Sequence, residues 1–342
     1  MPTKDELKML QSLPLDVKVA KTQQRIREWV DYYGVNGVYV SFSGGKDSTV
    51  LLHLVRELYP SVEAVFVDTG LEYPEVRQFA KSHDNVTVLR PKMRFDEVIK
   101  QYGYPIISKD VAMTIYYARK GSSWAIDQRM AGKNSDGTYS RYKDTCYAKY
   151  APLMDVDFVI SHMCCLQTKE AALDRYARDN DRVRIVGTMA AESQRREQAW
   201  LKTGCNAFDA GASKPMSFWT EQDVLLYIRQ HDIKIASVYG DIVYKDDPAQ
   251  LRMEDGYCGS RLRTTGCDRT GCIFCGFGAH LEHGETRFQR LKRTHPKQYA
   301  YCIGGGEYGS DGIWRPNKAG LGMYHVFDTL NRIYGADFLR YE

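Results

Sequence analysis

The chain has 342 residues, of which 43 % are hydrophobic and 26 % are charged, and its formal net charge is +4. This size suits one large domain with a smaller one, and no apolar run approaches the ~20 residues that span a bilayer. The N-terminal segment 1–21 is charged throughout and lacks the apolar core of a signal peptide. We therefore expect a cytoplasmic protein with no membrane contact. Its net charge is too small to indicate a nucleic-acid partner by itself.

Short apolar runs alternate with amphipathic segments along most of the chain. In chain order the pattern predicts a helix ending at 33, strand 38–40, helix 49–59, strand 64–67, helix 74–81, strand 86–89, helix 167–177, strand 183–186 and helix 222–231. Such alternation indicates an α/β fold with a doubly wound parallel sheet. Ligands of these sheets bind beyond the carboxyl ends of the strands, where segments 43–48 and 68–69 lie.

After residue 232 the composition shifts toward Gly, Cys, Arg and Tyr. We therefore predict two domains, a nucleotide domain over 1–232 and a smaller cysteine-rich region over 233–342 that binds a metal or cluster and the substrate. The sequence predicts no oligomeric state.

The segment Ser43–Ser48 reads Ser-Gly-Gly-Lys-Asp-Ser and stands between a predicted strand and a predicted helix. Two glycines let backbone N–H groups approach an anion, and the start of the helix contributes a favourable dipole. Lys46 adds a cation. Because Asp47 separates this lysine from Ser48, the segment is not a Walker A loop. We predict a phosphate-binding loop of another kind.

This loop resembles the pyrophosphate loop of the N-type ATP pyrophosphatases, in the branch that contains the phosphoadenosine-phosphosulfate reductases. Further segments resemble the branch in the same order, namely Asp68-Thr69-Gly70 with Tyr73-Pro74-Glu75, Cys164-Cys165, Gly187-Thr188 with Glu192-Ser193 and Arg196, Lys214-Pro215-Met216 with Trp219-Thr220, and Gly271-Cys272 with Cys275. Met189 departs from the pattern, since the family often has arginine there. The resemblance implies an adenine nucleotide alpha hydrolase-like fold, and the chain is similar in character to the ATP pyrophosphatases of DNA phosphorothioation systems.

The same resemblance implies ATP and Mg²⁺ as ligands, with Lys46, Asp47 and Ser48 as the catalytic residues. Asp47 is expected to contact the metal, because a divalent ion must offset the triphosphate charge. The implied nucleotide-binding set comprises Ser41, Phe42, Ser43, Gly44, Gly45, Lys46, Asp47, Ser48, Asp68, Thr69, Gly187, Thr188, Glu192 and Arg196.

Nine cysteines in a cytoplasmic protein indicate metal binding more than disulfides. The Cys272-x-x-Cys275 pair needs two further sulfur ligands. The family resemblance supplies Cys164 and Cys165 and implies a 4Fe-4S cluster, whereas the local spacing of Cys258 and Cys267 suits structural Zn²⁺. A mixed set is also open, so the candidate ligands are Cys164, Cys165, Cys267, Cys272 and Cys275.

Two kinds of chemistry suit such a chain. In the first, ATP adenylates a substrate, releasing pyrophosphate, and sulfur then displaces AMP. In the second, a cysteine thiolate attacks an adenylyl sulfate, as in the sulfonucleotide reductases. The reductases carry their nucleophile in a C-terminal cysteine motif, but this chain has no cysteine after Cys302. We therefore favour adenylation, with a cysteine desulfurase as a possible sulfur donor.

The segment 119–150 contains seven Lys or Arg residues and three Asp or Glu residues, interleaved with Trp124 and four tyrosines. Cations beside aromatic rings are typical of polynucleotide-binding surfaces. A solvated basic loop has the same composition. A nucleic-acid acceptor, DNA or tRNA, is thus one hypothesis and a small molecule another.

Overall fold

A computed structural model describes residues 2–246 and 260–342. They form two compact units. Unit 1 contains Met1–Asp68, Glu72–Arg90 and Ala172–Thr270, and unit 2 contains Thr69–Leu71, Pro91–Ala171 and Gly271–Glu342. The chain passes between the units several times, so their bounds differ from the single boundary near residue 232 that composition predicts. The units are defined by contacts between segments that are distant along the chain, and such contacts cannot be inferred from local composition.

The α-helices are α1 (Lys4–Ser12), α2 (Leu15–Tyr33), α3 (Lys46–Leu58), α4 (Pro74–Lys81), α5 (Phe95–Tyr102), α6 (Lys109–Ala118), α7 (Ala171–Asn180), α8 (Gln194–Thr203), α9 (Glu221–Gln230), α10 (Arg287–Thr294), α11 (Pro296–Ile303) and α12 (Met323–Tyr334). The strands are β1 (Val38–Ser41), β2 (Ala64–Val67), β3 (Val86–Leu89), β4 (Ile106–Ile107), β5 (Val183–Val186), β6 (Asn206–Ala207), β7 (Ala212–Ser213), β8 (Ile242–Asp246), β9 (Ser260–Thr264), β10 (Gly276–Phe277), β11 (Glu307–Tyr308) and β12 (Trp314–Arg315). No helix in the described ranges is long and apolar enough to cross a membrane.

Unit 1 is built on a six-stranded sheet with the order β3-β2-β1-β5-β7-β6. All neighbouring strands run parallel except β6 and β7, which pair antiparallel. The predicted α/β fold with a mostly parallel sheet is therefore confirmed. The order reverses at β1, where β2 and β5 lie on opposite sides. Ligand crevices of α/β sheets form at such reversals, beyond the carboxyl ends of the strands.

The central strands are buried, as expected for a sheet covered on both faces. All four residues of β2 are buried, and Val38, Tyr39 and Val40 of β1 are at most 1 % exposed. Helix α3 packs Val50, Leu51 and Leu54 into the same core. It begins at Lys46, three residues before the predicted start, because the phosphate loop enters the helix without an intervening turn.

Helix α2 is joined to the segment that follows β7 by buried polar contacts. Lys18, which is 2 % exposed, donates to the Asp223 carboxylate at 2.7 Å. The indole N–H of Trp219 donates to Thr22 Oγ1 at 2.8 Å, and Asp223 also caps α9 at Thr220. A buried charge is tolerated when it is paired and hydrogen-bonded. These contacts therefore hold the predicted motif around Trp219 against the core.

Unit 2 contains less β-sheet than unit 1 does. It contains the parallel pair β4–β10 and the antiparallel pair β11–β12, together with helices α5, α6 and α10–α12. The basic segment 119–150 includes a π-helical turn at Trp124–Met130. A second π-helical turn, Leu166–Glu170, follows the adjacent cysteines and leads into α7.

Candidate nucleotide site and thiol cluster

The glycines of the predicted phosphate loop are required by its shape. Gly44 has φ +73°, and a Cβ there would lie 2.9 Å from the carbonyl oxygen of Val76. A side chain at this position would therefore be both strained and obstructed. A Cβ on Gly45 would lie 3.3 Å from Ser43 Oγ, so the loop backbone turns closely around its own hydroxyls. The loop then continues directly into α3, and the start of a helix is a favourable place for an anion.

The loop hydroxyls form a compact network. Ser43 Oγ and Ser48 Oγ are 2.9 Å apart, and Ser48 Oγ donates to the carbonyl oxygen of Gly45 at 2.9 Å. Thr49 Oγ1 donates to the same carbonyl at 3.0 Å. Because this carbonyl accepts from two hydroxyls, the turn from the loop into α3 is fixed.

Lys46 is a buried cation held by several acceptors. Its Nζ donates to the carbonyl oxygen of Asp268 at 2.9 Å and lies 3.1 Å from the Glu221 carboxylate. The side chain is 3 % exposed. Burial by itself lowers the pKa of Lys46, but the charges of Asp47 and Glu221 outweigh it and hold the pKa above its usual value. The ammonium is therefore charged and ready for an anion, which must compete with Glu221.

Asp47 has an unusual environment. Its Oδ1 is buried and has no hydrogen-bond partner among the described residues. Lys46 Nζ is 3.8 Å away, too far for a hydrogen bond. Burial raises the pKa of Asp47, while the charges of Lys46, Arg269 and Arg196 act against the increase. A buried carboxylate oxygen without a donor calls for an explanation, and a divalent cation is one.

Further cations stand beside this carboxylate in unit 1. Glu192, at the end of the Gly187–Glu192 segment, forms ion pairs with Arg196 and with Arg269. Burial and the nearby charge of Arg269 lower the pKa of Arg196. Burial and Arg196 likewise lower the pKa of Lys214. Burial is the larger cause of both depressed pKa values and repulsion between the cations the smaller, and an anionic ligand would relieve the repulsion.

The segment after β5 packs directly on the loop. A Cβ on Gly187 would lie 3.1 Å from the carbonyl oxygen of Asp47, so only glycine allows this approach without a shift. Met189, the departure from the family pattern, is 3 % exposed and belongs to the hydrophobic core. Arg196 and Arg269 both bring a guanidinium to this region, and Ser193 positions Arg196 by capping the first turn of α8.

Asp68 is held by cations. Its carboxylate accepts from Arg77 at 2.7 and 2.8 Å and from Lys81 at 2.5 Å. Burial alone would raise its pKa, but these hydrogen bonds hold the pKa below the usual value. Phe42 is buried beside the His83 ring, at 5.1 Å between centroids. The roles of Ser41, Phe42, Asp68, Thr69 and Thr188 toward adenosine stay predictions.

The structure adds residues that the motifs did not indicate. Tyr239 Oη accepts from the backbone N–H of Lys46 at 3.1 Å and lies 2.5 Å from Thr270 Oγ1. Glu221 and Asp268 hold the Lys46 ammonium, as described above. These residues come from segments far along the chain from the loop, so local spacing does not indicate them. Lys214, described above beside Arg196, differs from them because it belongs to the family-like segment Lys214-Pro215-Met216.

Four of the predicted metal ligands gather in unit 2. The Cys164 pKa is raised by its contact with Cys165, by burial and by the charges of Cys272 and Cys275. The same contact lowers the pKa of Cys165, helped by the cations Lys109 and Lys169. The pKa of Cys275 is raised by burial and by Cys272. The four thiols are thus near neighbours. Within residues 2–246 and 260–342, no three His, Cys, Asp or Glu side chains are arranged to hold a metal ion.

The remaining cysteines have other surroundings. Cys267 belongs to unit 1, where it is 2 % exposed and its carbonyl accepts from Thr264 Oγ1. Cys258, needed for the zinc alternative, lies outside the described residues. Cys302 is fully buried in α11, and burial raises its pKa well above the usual value. A buried neutral thiol is a poor nucleophile.

The basic segment 119–150 contains cations of two kinds. Arg119 donates to four backbone carbonyls of residues 153–158, and Arg129 is buried against the rings of Tyr142 and Tyr147 at 4.4 and 4.5 Å. These two are structural. The exposed cations are Lys120, Lys133, Arg141, Lys143 and Lys149, and four of them lie over tyrosine rings.

The sheet and loop of unit 1 define a nucleotide-binding α/β domain. The chain belongs to the phosphoadenosine phosphosulfate reductase domain family, whose model matches residues 37–108 and 129–276, more than half of its length.

A longer match is to sulfate adenylyltransferase subunit 2 of Shewanella frigidimarina, 25 % identical over 276 residues, covering 72 % of this chain and 79 % of that protein. The uncharacterized protein MJ0973 of Methanocaldococcus jannaschii is 41 % identical over 78 residues, which is 21 % of this chain and 18 % of the relative. This chain therefore spans only a small part of that relative's length.

Among solved structures, the chain is similar to the U34-tRNA thiolase NcsA of Methanococcus maripaludis with its [4Fe-4S] cluster. The similar region covers 64 % of this chain and 66 % of the thiolase chain. The sequence identity is 14 % and the TM-score is 0.34. Taken together, the family and the sulfate adenylyltransferase relative are named for enzymes that act on adenosine nucleotides in sulfur chemistry.

Proposed function

We propose that the protein is an ATP pyrophosphatase that adenylates a substrate for sulfur incorporation. The observation that carries this proposal is the pairing, on one loop, of a buried charged Lys46 with a buried Asp47 oxygen that has no donor among the described residues. A polyphosphate with its divalent ion has the charges that such a pair needs.

The reaction has two steps. A substrate oxygen attacks the α-phosphorus of ATP, the bond to the β-phosphate breaks, and pyrophosphate leaves. A sulfur nucleophile then attacks the adenylated substrate and displaces AMP. In this proposal the loop N–H groups, Lys46 and Ser48 bind the leaving pyrophosphate. Arg196 and Lys214 add positive charge that stabilises the negative charge of the phosphates. Mg²⁺, held by Asp47, would neutralise phosphate charge.

The four neighbouring thiols of unit 2 support a 4Fe-4S cluster as the resident cofactor. Cluster ligation requires four thiolates from one region, and Cys164, Cys165, Cys272 and Cys275 all belong to unit 2 and influence one another's pKa values, although their side chains are not arranged as a metal site among the described residues. The zinc alternative uses Cys258 and Cys267 in place of the adjacent pair. When bound, a cluster of this kind can hold a sulfur species for transfer.

A sulfonucleotide reductase is the alternative, and the surroundings of Cys302 argue against it. Reduction of an adenylyl sulfate begins with thiolate attack on sulfur, and this thiolate must be accessible. Cys302 has 0 % exposure and a raised pKa. The adjacent thiols are proposed cluster ligands. Adenylation needs no such nucleophile.

The proposed sulfur acceptor is a nucleic acid, as in DNA phosphorothioation, with a cysteine desulfurase supplying sulfur. Its support is the set of exposed cations on tyrosines in unit 2. Lys143 Nζ lies 5.6 Å from the ring centre of Tyr139, which is 75 % exposed, and the Arg141 guanidinium lies 4.7 Å from that of Tyr142. Phosphates and bases are recognised by such pairs.

Product analysis tests the proposed activity. With Mg²⁺ and ATP the protein should release AMP and pyrophosphate, and no thioredoxin-dependent sulfite from either adenylyl sulfate or its 3′-phosphorylated form. ADP as the main product would refute α–β cleavage. Sulfite formation that is lost in Cys302→Ser would establish the reductase instead.

The acceptor is tested separately by polynucleotide binding. Replacing Arg141, Lys143 and Lys149 together with Gln should weaken binding to DNA or RNA and reduce its salt dependence, because fewer counterions are released. The charge-matched control replaces Lys8, Lys202 and Lys234, exposed residues of unit 1. Equal losses in both triple variants would show that net charge, and not this surface, drives the binding.

A further inference from the structure

Unit 1 contains a cleft of about 600 Å³ that is not lined by the phosphate loop. It lies between helices α1 and α2 on one side and the end of α8 with the segment after it on the other. Its apolar lining consists of Met9, Leu10, Trp200, Phe208 and Phe218. No residue of the loop Ser43–Ser48 is among the described residues that line it. Its volume falls within the range of clefts that bind small organic ligands.

The apolar surface of this cleft includes side chains that α1 leaves uncovered. Leu7 is the buried residue of α1, whereas Met9 is 56 % exposed and faces the cleft. On the opposite side, Trp200 is buried and Phe208 is 38 % exposed. Aromatic rings on one wall and a flexible thioether on the other suit a flat ligand.

One cation of the cleft is available to a ligand. Arg25 and Glu28 form an ion pair at 2.7 Å, and Glu6 accepts from the backbone N–H of Thr3 at 2.6 Å. Lys21 is half-buried and forms no ion pair or hydrogen bond with any residue of the described ranges. A ligand with a negative charge would give this ammonium a partner.

Half of the lining residues precede residue 37, where the family match begins. The cleft is therefore formed by this chain's N-terminal helices together with α8, and not by the matched domain alone. Helix α8 also carries Arg196, one turn before Trp200, so the cleft and the nucleotide site share one rigid element.

We propose that this cleft is a second binding site, for a small aromatic compound bearing one negative charge. The aromatic body lies on the Trp200–Phe208 wall and against Met9, and the anionic group pairs with Lys21. This site is separate from the nucleotide site and does not depend on the activity proposed above.

The probe for the test is 8-anilinonaphthalene-1-sulfonate, whose fluorescence increases in apolar surroundings. We expect saturable binding of about one molecule per chain, with a Kd of roughly tens of micromolar, as for compounds of this size. Saturating Mg-ATP should not displace it. Circular dichroism must show native tertiary packing throughout, because partly unfolded chains also bind this dye.

Variants locate the probe. Met9→Trp fills the cleft from an exposed position and should weaken binding about tenfold or more. Lys21→Gln should weaken it about fivefold by removing the cation. Lys8→Gln, also on α1 but outside the lining, is the matched control and should bind as the native chain does. Any one of three results would overturn the proposal. These are no saturable binding of the probe, binding that neither Met9→Trp nor Lys21→Gln weakens, and displacement of the probe by Mg-ATP.

Discussion

The Lys46 ammonium offers the sharpest test of the phosphate site, since two neighbouring substitutions should change nucleotide affinity in opposite directions. Lys46→Met removes the buried cation but keeps the length and apolar stem of the side chain. Glu221→Gln removes the carboxylate that lies 3.1 Å from that cation. Lys46→Met removes the attraction between the ammonium and the phosphates. Glu221→Gln removes a carboxylate that competes with the phosphates for Lys46 and repels them.

The two effects differ in size because the two side chains differ in burial. Lys46 is 3 % exposed, and a hydrogen bond between a buried ammonium and a phosphate contributes about 1.5–3 kcal/mol. That corresponds to a roughly 10- to 150-fold loss of affinity for Mg-ATP. Glu221 is 50 % exposed, so solvent screens its ion pair and about 1 kcal/mol is an upper bound. The gain in Glu221→Gln should therefore stay within about fivefold.

Isothermal titration with a non-hydrolysable ATP analogue and Mg²⁺ measures both changes. Thermal unfolding of the free proteins serves as the control that each variant is folded. A Lys46→Met affinity within about twofold of the native value would refute the assignment of this lysine to the phosphates, given the expected free energy. Changes of the same sign in both variants would refute the competition between Glu221 and the nucleotide.

Four further outcomes are expected. Burial raises the pKa of Asp47, so Mg²⁺-dependent turnover should fall on acidification at a higher pH than an ordinary aspartate predicts, and Asp47→Asn should remove Mg²⁺-dependent turnover at every pH. Because burial raises the pKa of Asp47, its carboxylate makes the folded state less stable as the pH rises through that pKa. At pH 7, Asp47→Asn should therefore have a higher thermal unfolding midpoint than the native chain. A lower midpoint would contradict this. Anaerobically purified protein should be brown and Cys272→Ser colourless, whereas bound zinc would favour the alternative ligand set. Lys18→Met leaves the Asp223 carboxylate, whose side chain is 13 % exposed, without its cation and should lower the free energy of unfolding by about 3 kcal/mol in urea titration; a change near zero would show that the ion pair contributes nothing.

Much of unit 1 could be predicted from the sequence because its signals are local. Strands 64–67, 86–89 and 183–186 and the helix 74–81 have the predicted bounds, since each is a short apolar or amphipathic run closed by a turn. The phosphate loop is likewise contiguous, and its glycines allow the required backbone conformation wherever they occur.

The elements that periodicity did not predict are short or polar. Helix α8 is rich in charged residues, and most of its side chains face solvent or the phosphate site, so it lacks the apolar stripe of an amphipathic helix. The antiparallel pair β8–β9 joins segments that the sequence does not show to be neighbours.

The composition of the site depended on contacts between distant segments. The sequence places Lys46 and Asp47 on one loop, but only the fold brings Glu221, Tyr239 and Asp268 to them, from about 170 to 220 residues away along the chain. In the same way, Cys164 and Cys272 lie over a hundred residues apart, and unit 2 makes them neighbours. Residue type and local spacing specify which groups are able to bind phosphate or metal. Which of them share a site is set by packing, because the free energy of burying the core selects the chain's long-range contacts, and these contacts are not encoded in any short segment.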